Sequence, residues 1–171
     1  YKKETTKHNN LMDNLNRWSK LINKRQLSKI KVVYNNSGSI LQSAVLQGDY
    51  LITGDLSFYD TKSLEEAFYL SAILNSNILT NQIRIMKSSR HIFKRPLDIP
   101  IKKFDRRNFI HQKLAELGEK GLKISKQTIM SFIENSQAHF TKFKIQKILS
   151  KELKPIITEI DELLVREFTL S

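Results

Sequence analysis

Lys29–Leu74 reads KIKVVYNNSGSILQSAVLQGDYLITGDLSFYDTKSLEEAFYLSAIL, and a change of period inside this stretch decides the fold. Its first part holds three short runs rich in β-branched and aromatic residues, KIKVVYN, SILQSAVLQ and DYLITGDLSFYD. Turn-forming residues separate them, Asn35-Asn36-Ser37-Gly38 and then Gln47-Gly48-Asp49. Three strands in succession predict a small antiparallel sheet, with Gly54 marking a bulge or a close backbone approach in the third. At Thr61-Lys62-Ser63 the period turns helical, and Ser63 and Glu66 stand three apart as a capping box. Leu64, Ala67, Phe68, Leu70, Ala72, Ile73, Leu74, Ile78 and Leu79 then make a helix apolar enough to be buried against the sheet. The Asn75-Ser76-Asn77 step is a weak break that admits two helices.

Working outward, Leu11, Leu15, Trp18, Leu21 and Ile22 are spaced by three and four, which predicts a helix over 11–28 ahead of the sheet. On the other side, Leu97-Asp98-Ile99-Pro100-Ile101 cannot be helical through Pro100 and reads as an edge strand or an extended crossing. From Asn108 onward the pattern is helical. Phe109, Leu114, Leu117, Leu122, Ile129, Phe132 and Ile133 recur at mostly helical spacing, with Gly118 and Gly121 as weak points or turns. A turn near Asn135-Ser136 starts a second run, broken or restarted at Pro155. Its last segment carries Ile156, Ile160, Leu163, Leu164 and Phe168 on one face and acids opposite. The fold class is therefore α+β: a small, mostly antiparallel sheet packed on helices, followed by a C-terminal helical hairpin or bundle. Residues 1–104 are the expected α/β recognition domain and 105–171 a helical support.

The chain has 171 residues, 40% of them hydrophobic, which suffices for a packed core. It has no cysteine, which excludes disulfides, thiolate nucleophiles and cysteine metal sites and fits a reducing cytoplasm. No apolar run reaches the roughly 18–20 residues of a membrane span, and no membrane partner is expected. Because the first residue is Tyr1 rather than Met, a piece of a longer polypeptide is expected. The formal net charge is +12 and the pI about 9.9, which calls for an anionic partner. Residues 1–104 carry 17 basic and 8 acidic residues against 12 and 9 in 105–171, so the anion site is expected in the first part.

Between Arg84 and Arg107 nine Lys and Arg face two acids, Asp98 and Asp105, a local excess of +7. Such a run is also what an ordinary solvated face looks like. Its composition argues for DNA: Lys and Arg reach phosphates, while Arg, Asn, Gln and Ser read base edges. The candidate DNA-binding residues are Arg84, Lys87, Ser88, Ser89, Arg90, His91, Lys94, Arg95, Lys102, Lys103, Arg106 and Arg107. Of these, Ser88, Ser89, Arg90, His91 and Arg95 are expected nearest the bases. Asn35 and Asn36 read as turn residues before base readers. No catalytic or metal-binding residue is assigned. The sequence has no Gly-rich phosphate loop, HExxH or nucleophile elbow. His8, His91, His111 and His139 lack ligand spacing and read as surface or interface residues. Glu65-Glu66 and Asp161-Glu162 read as solvated helix faces.

An ordered set of pieces runs through the chain: Lys-Ile-Lys-Val-Val at 29–33, GDYLITGDLSFYD at 48–60, AFYLSAILNSNILTNQI at 67–83, SSRHIFKRPLDIPIKKFD at 88–105, HQKLAEL at 111–117 and EIDELLVREFTLS at 159–171. In this order they resemble the C-terminal target-recognition region of adenine-N6 DNA methyltransferases from restriction-modification systems, the type II and type IIG enzymes with a TaqI-like specificity domain. The resemblance implies a module that reads a short asymmetric duplex sequence for an upstream methyltransferase domain in the same polypeptide. S-adenosylmethionine would bind in that catalytic domain, into which the target adenine is swung. The Asn/Asp-Pro-Pro-Tyr motif and the glycine-rich S-adenosylmethionine loop of such enzymes are both absent from these residues, and Asp98 is not followed by a nuclease-like Glu-x-Lys. The chain is thus expected to be non-catalytic by itself and to hold no cofactor, with double-stranded DNA as its partner in the cytoplasm. Two other readings stay open: a divergent metal-dependent nuclease using Asp98 and Asp105, and an assembly module whose helices from Asn108 to Phe168 pair with another subunit.

Overall fold

The computed structural model describes residues 12, 16, 22–86, 91–92, 95–135 and 141–169. Most of the expected helix over 11–28 lies outside them. Its described end is a single 3-10 turn, Lys24–Leu27, followed by extended Ser28.

Three strands follow, β1 (Ile30–Asn35), β2 (Ser43–Gln47) and β3 (Leu56–Thr61), in an antiparallel sheet of order β2-β1-β3. Val32 of the central strand stands opposite Val45 on one side and Tyr59 on the other. Lys31 through Tyr34 are all buried, so β1 is covered on both faces and its apolar run is continuous rather than alternating. Lys31 is accommodated by its ammonium, which donates to the Ser28 carbonyl and lies 6.0 Å from the Phe58 ring centroid. Burial pulls its pKa below the ordinary lysine value, and Asp49 and Asp60 partly oppose that pull. The β1–β2 turn is tied by Asn35. Its Nδ2 donates to the carbonyls of Ser37 (2.7 Å) and Ile40 (3.0 Å), and its Oδ1 accepts the Gln42 N–H at 2.8 Å. Gly54 is neither a bulge nor a close approach: it takes φ +64° in the turn before β3, with open space where a Cβ would sit.

The helix after the sheet is two helices, α1 (Leu64–Leu74) and α2 (Asn77–Met86). The capping box is half formed. The Glu66 N–H donates to Ser63 Oγ at 3.3 Å, while the Glu66 carboxylate takes the Thr61 hydroxyl instead of returning to Ser63. At the break, the Asn75 carboxamide bonds both backbone groups of Ser43, at 2.8 and 3.1 Å, as a neighbouring strand would. Ser76 Oγ donates to the Ile73 carbonyl (2.7 Å) and accepts the Leu79 N–H (3.0 Å), which closes one helix and opens the next. Asp161, from a distant helix, accepts the N–H groups of Asn77 (3.0 Å) and Ile78 (3.3 Å). It is a helix cap and not a solvated surface acid.

Beyond the basic stretch lie a single turn α3 (Arg95–Asp98), an irregular crossing over 99–105, and two long helices, α4 (Phe109–Asn135) and α5 (Lys142–Thr169). Pro96 sits in the first turn of α3, where its missing N–H removes no helical bond. The segment expected as an edge strand or an extended crossing therefore starts helical, turns at Pro100, where the Ile101 N–H donates to the Ile99 carbonyl at 2.8 Å, and forms no strand. Pro155 does not break α5. It is exposed, so the carbonyl left without a helical donor can take a hydrogen bond from water. One contiguous core joins Val32, Tyr34 and Val45 of the sheet to Ala67, Ala72 and Ile73 of α1, Leu114 and Leu117 of α4, and Ile156, Ile160 and Leu164 of α5.

α4 also runs unbroken through both glycines expected to weaken it. At Gly118 the reason is contact: a Cβ there would lie 2.2 Å from the Phe68 carbonyl oxygen of α1, so the two helix backbones meet directly. At Gly121 the nearest atom to a Cβ would be Leu153 Cδ2 at 4.0 Å, an ordinary distance. Gly118→Ala is therefore expected to destabilise the fold by about 2–4 kcal/mol through forced helix separation. Gly121→Ala is expected to be neutral or stabilising by up to ~1 kcal/mol. Urea denaturation of both variants checks this, and equal effects at the two positions would refute it.

Candidate nucleic-acid interface

The basic stretch is held to the body at two places. At the first, the Arg84 guanidinium at the end of α2 donates from Nε to the Ser39 carbonyl at 2.8 Å, with Asn81 Oδ1 3.4 Å from Nη1. His91 forms an isolated antiparallel bridge with Ser37, and the Ile92 N–H donates to the Asn36 carbonyl at 2.7 Å. The Ile92 side chain is only 1% exposed, so it anchors the segment while His91 stays at the surface. The β1–β2 turn and the basic stretch thus share one surface. Asn35 and Asn36 nonetheless belong to the framework. Asn35 is occupied in its own turn, and buried Asn36 accepts the Ser57 hydroxyl at 2.6 Å.

The second place is a polar joint beneath the 99–105 crossing. The Tyr69 hydroxyl on α1 donates to the Lys102 carbonyl at 3.0 Å. Its ring lies 5.4 Å from Phe104 and 4.7 Å from His111, centroid to centroid. His111 is 3% exposed, so it is a buried framework residue and not the surface or interface residue its sequence context suggests. Its Nδ1 accepts the Asp105 N–H at 3.0 Å, which puts the proton of the neutral ring on Nε2. Nε2 approaches Glu167 Oε1 at 3.5 Å, close enough for electrostatic attraction but not a hydrogen bond. Lys102 Nζ pairs with the same oxygen at 2.9 Å. Burial pushes the Glu167 carboxyl up, but the hydrogen bond and charge of Lys102, with help from His111 and Asn108, outweigh it and hold the pKa below the usual range. Burial also raises the Tyr69 phenol, and the Glu167 charge adds to that.

The candidate residues therefore divide. Arg84 and His91 lie by the β1–β2 turn, at the C-terminal end of α1. Arg106, whose Nε is 2.6 Å from Glu65 Oε2, lies at the N-terminal end of α1. Eleven helical residues separate these ends by roughly 16 Å, about the rise of five base pairs. Lys102 and Arg106 are partly neutralised by Glu167 and Glu65. Lys103 and Arg107 are exposed and make no ion pair among the described residues. Arg95 opens α3. Lys87, Ser88, Ser89, Arg90 and Lys94 lie outside the described residues. Of the acids of the nuclease reading, Asp105 accepts the Arg107 N–H at 2.8 Å ahead of α4, and Asp98 ends α3. Among the described residues no three Asp, Glu or His converge as a metal site, and no helix is long and apolar enough to cross a membrane.

Glu167 and His111 were the residues that sequence reasoning missed. A signal existed for Glu167, which follows Ile160, Leu163 and Leu164 at the spacing of the next buried position. Comparison with family models, with curated proteins and with solved structures gives no match for this chain.

Replacing the carboxylate at 167 by an amide removes the charge that Lys102 pairs with, so Glu167→Gln is expected to destabilise the chain by about 1–3 kcal/mol at pH 7. The sign with pH follows from the depressed carboxyl. Its stabilisation is complete above the ordinary glutamate pKa of about 4.3 and is lost as pH falls through the lower folded value. Denaturation from pH 6 to pH 3 should show the wild type losing stability faster than Glu167→Gln on the acid side. Parallel curves would refute the assignment.

Proposed function

We propose that this chain is the target-recognition portion of a restriction-modification adenine-N6 DNA methyltransferase, which holds a short duplex site for a catalytic domain outside these residues. One observation carries the reading. Tyr69, Phe104, His111 and Glu167 come from four separate pieces of the ordered motif set, and they meet in a single joint. Four weak matches that converge physically are stronger support than four that scatter. The joint holds the end of the basic stretch, and Ile92 with the β1–β2 turn holds its middle.

In this reading Lys and Arg of 84–107 neutralise phosphates, and Ser88, Ser89, Arg90, His91 and Arg95 approach base edges. A bidentate arginine in the major groove discriminates guanine by roughly 1–3 kcal/mol. The framework residues carry no sequence information; they fix the register of the loop. The parent's catalytic domain would bind S-adenosylmethionine and receive the extruded adenine.

Filter binding of the chain to duplex DNA at increasing salt tests this. The logarithm of affinity should fall linearly with the logarithm of salt. In the Arg90→Ala, Lys94→Ala, Arg95→Ala triple variant the slope should become shallower by about two to three, at roughly 0.9 for each phosphate no longer neutralised. Affinity indifferent to salt, or unchanged in the triple variant, would sink the proposal.

A further inference from the structure

α5 is divided by charge at Pro155. Residues 142–154 hold five lysines and one acid, Glu152, whereas 156–169 hold four acids and one base, Arg166. That order opposes the helix dipole, which favours acids in the first turn and bases in the last, and the first turn contains no acid. Lys144, Lys147, Lys151 and Lys154 succeed one another at spacings of three, four and three. At 100° per residue they fill an arc of roughly 80°, and all four are exposed. Each has another of the four, and no acid, three or four residues away. None is in an ion pair among the described residues. Like charges at these spacings destabilise a helix, so surface pairing does not account for the stripe, and although lysine is a good helix former, propensity does not require four of them on one face.

Its position is equally specific. Beyond Leu117 on α4 and before Ile156 on α5, no described residue is buried, as expected where two helices have only each other to cover. Ile145, Ile148, Leu149 and Leu153 are half-buried; Ile145, Leu149 and Leu153 lie roughly 140–180° around α5 from the centre of the lysine arc, and Ile148 about 80° from it. The stripe therefore faces outward along the projecting half of the hairpin for roughly 15 Å at 1.5 Å per residue. Duplex DNA presents about nine phosphate charges over that length.

We infer that the Lys144–Lys154 stripe is a second phosphate-gripping surface, which holds the DNA backbone outside the base pairs read from 84–107. The inference rests on the reading of the chain as a DNA-recognition module. A bilayer is the poorer fit, because a membrane-lying helix needs an apolar face beside its lysines. Here Ile145, Leu149 and Leu153 are half-buried on the opposite side, and beside the lysines Phe143 is a single exposed aromatic rather than an apolar face; the other exposed apolar residues of that half, Met130 and Ile133, belong to α4.

The test uses the whole 171-residue chain and 30-base-pair duplexes of several sequences. In the variant Lys144→Gln, Lys147→Gln, Lys151→Gln, Lys154→Gln, the salt slope should become shallower by about three to four, with equal weakening on every duplex. The quadruple Lys→Arg variant should keep the wild-type slope. Acetylation footprinting of the wild type gives a readout independent of any variant: duplex should protect these four lysines. An unchanged slope, unprotected lysines, or stripe-dependent binding to phosphatidylserine vesicles in place of DNA would each overturn the inference. If the wild type binds duplex with steep salt dependence and the stripe variant does the same, this inference alone falls. If the wild type binds no duplex, the proposed function falls with it.

Discussion

The Phe68 carbonyl and Gly118 meet at a distance that admits no Cβ, and the arrangement of the other helices follows from that contact. With α1 and α4 backbone to backbone, Leu114, Ala115 and Leu117 reach the same core as Ala67 and Ala72. His111, two turns earlier on α4, then lies against Tyr69 and in reach of the Asp105 backbone. The 99–105 crossing is held because α1 supplies the Tyr69 hydroxyl, α4 the His111 imidazole and α5 the Glu167 carboxylate. A shift of one helix by the width of a methyl group would displace all three anchors together, since packed interiors transmit strain.

What was legible in the sequence was what depends on neighbours close along the chain. Three strands in succession and the Ser63 cap follow from local propensity and spacing; the first strand falls within a residue of its expected bounds, while the second starts at Ser43 and the third only at Leu56, because residues 49–55 of the expected third run form the turn ahead of it. Where interpretation failed, the deciding partner was far away. A glycine within a helical pattern weakens it unless another backbone uses the space, and Phe68 stands fifty residues before Gly118. Pro155 ends a helix only where the freed carbonyl lacks a donor, and its exposure to solvent supplies one. The strand order β2-β1-β3 puts the first strand in the middle, which no property of the individual runs determines.

The same limit governed the basic stretch. Its excess of charge was plain, but the partner of each charge was not: Glu65 pairs with Arg106 across 41 residues and Glu167 with Lys102 across 65. Lys102 and Arg106 are both exposed, so counting charges along the chain overstates how many are unpaired rather than how many face solvent. Twelve residues were expected to contact DNA; among the described ones Lys102 and Arg106 also carry ion pairs, and Arg84 also ties α2 to the β1–β2 turn. A residue with both roles loses stability and binding together when truncated, whereas Lys103 and Arg107 have no such pairing among the described residues.

Separation of the charge into distant groups bears on the kind of anion that fits. The groups at the two ends of α1 are roughly 16 Å apart, about twice the Debye length of ~8 Å at physiological ionic strength. Each group is therefore screened from the other, and a free phosphate or a nucleotide beside one would gain little from the second. A polyanion with a charge every ~1.7 Å of its axis meets both groups at once and releases counterions along the whole contact. On the proposed reading, it is this spacing, more than the net charge, that suits the surface to a nucleic acid backbone rather than to a small anionic ligand.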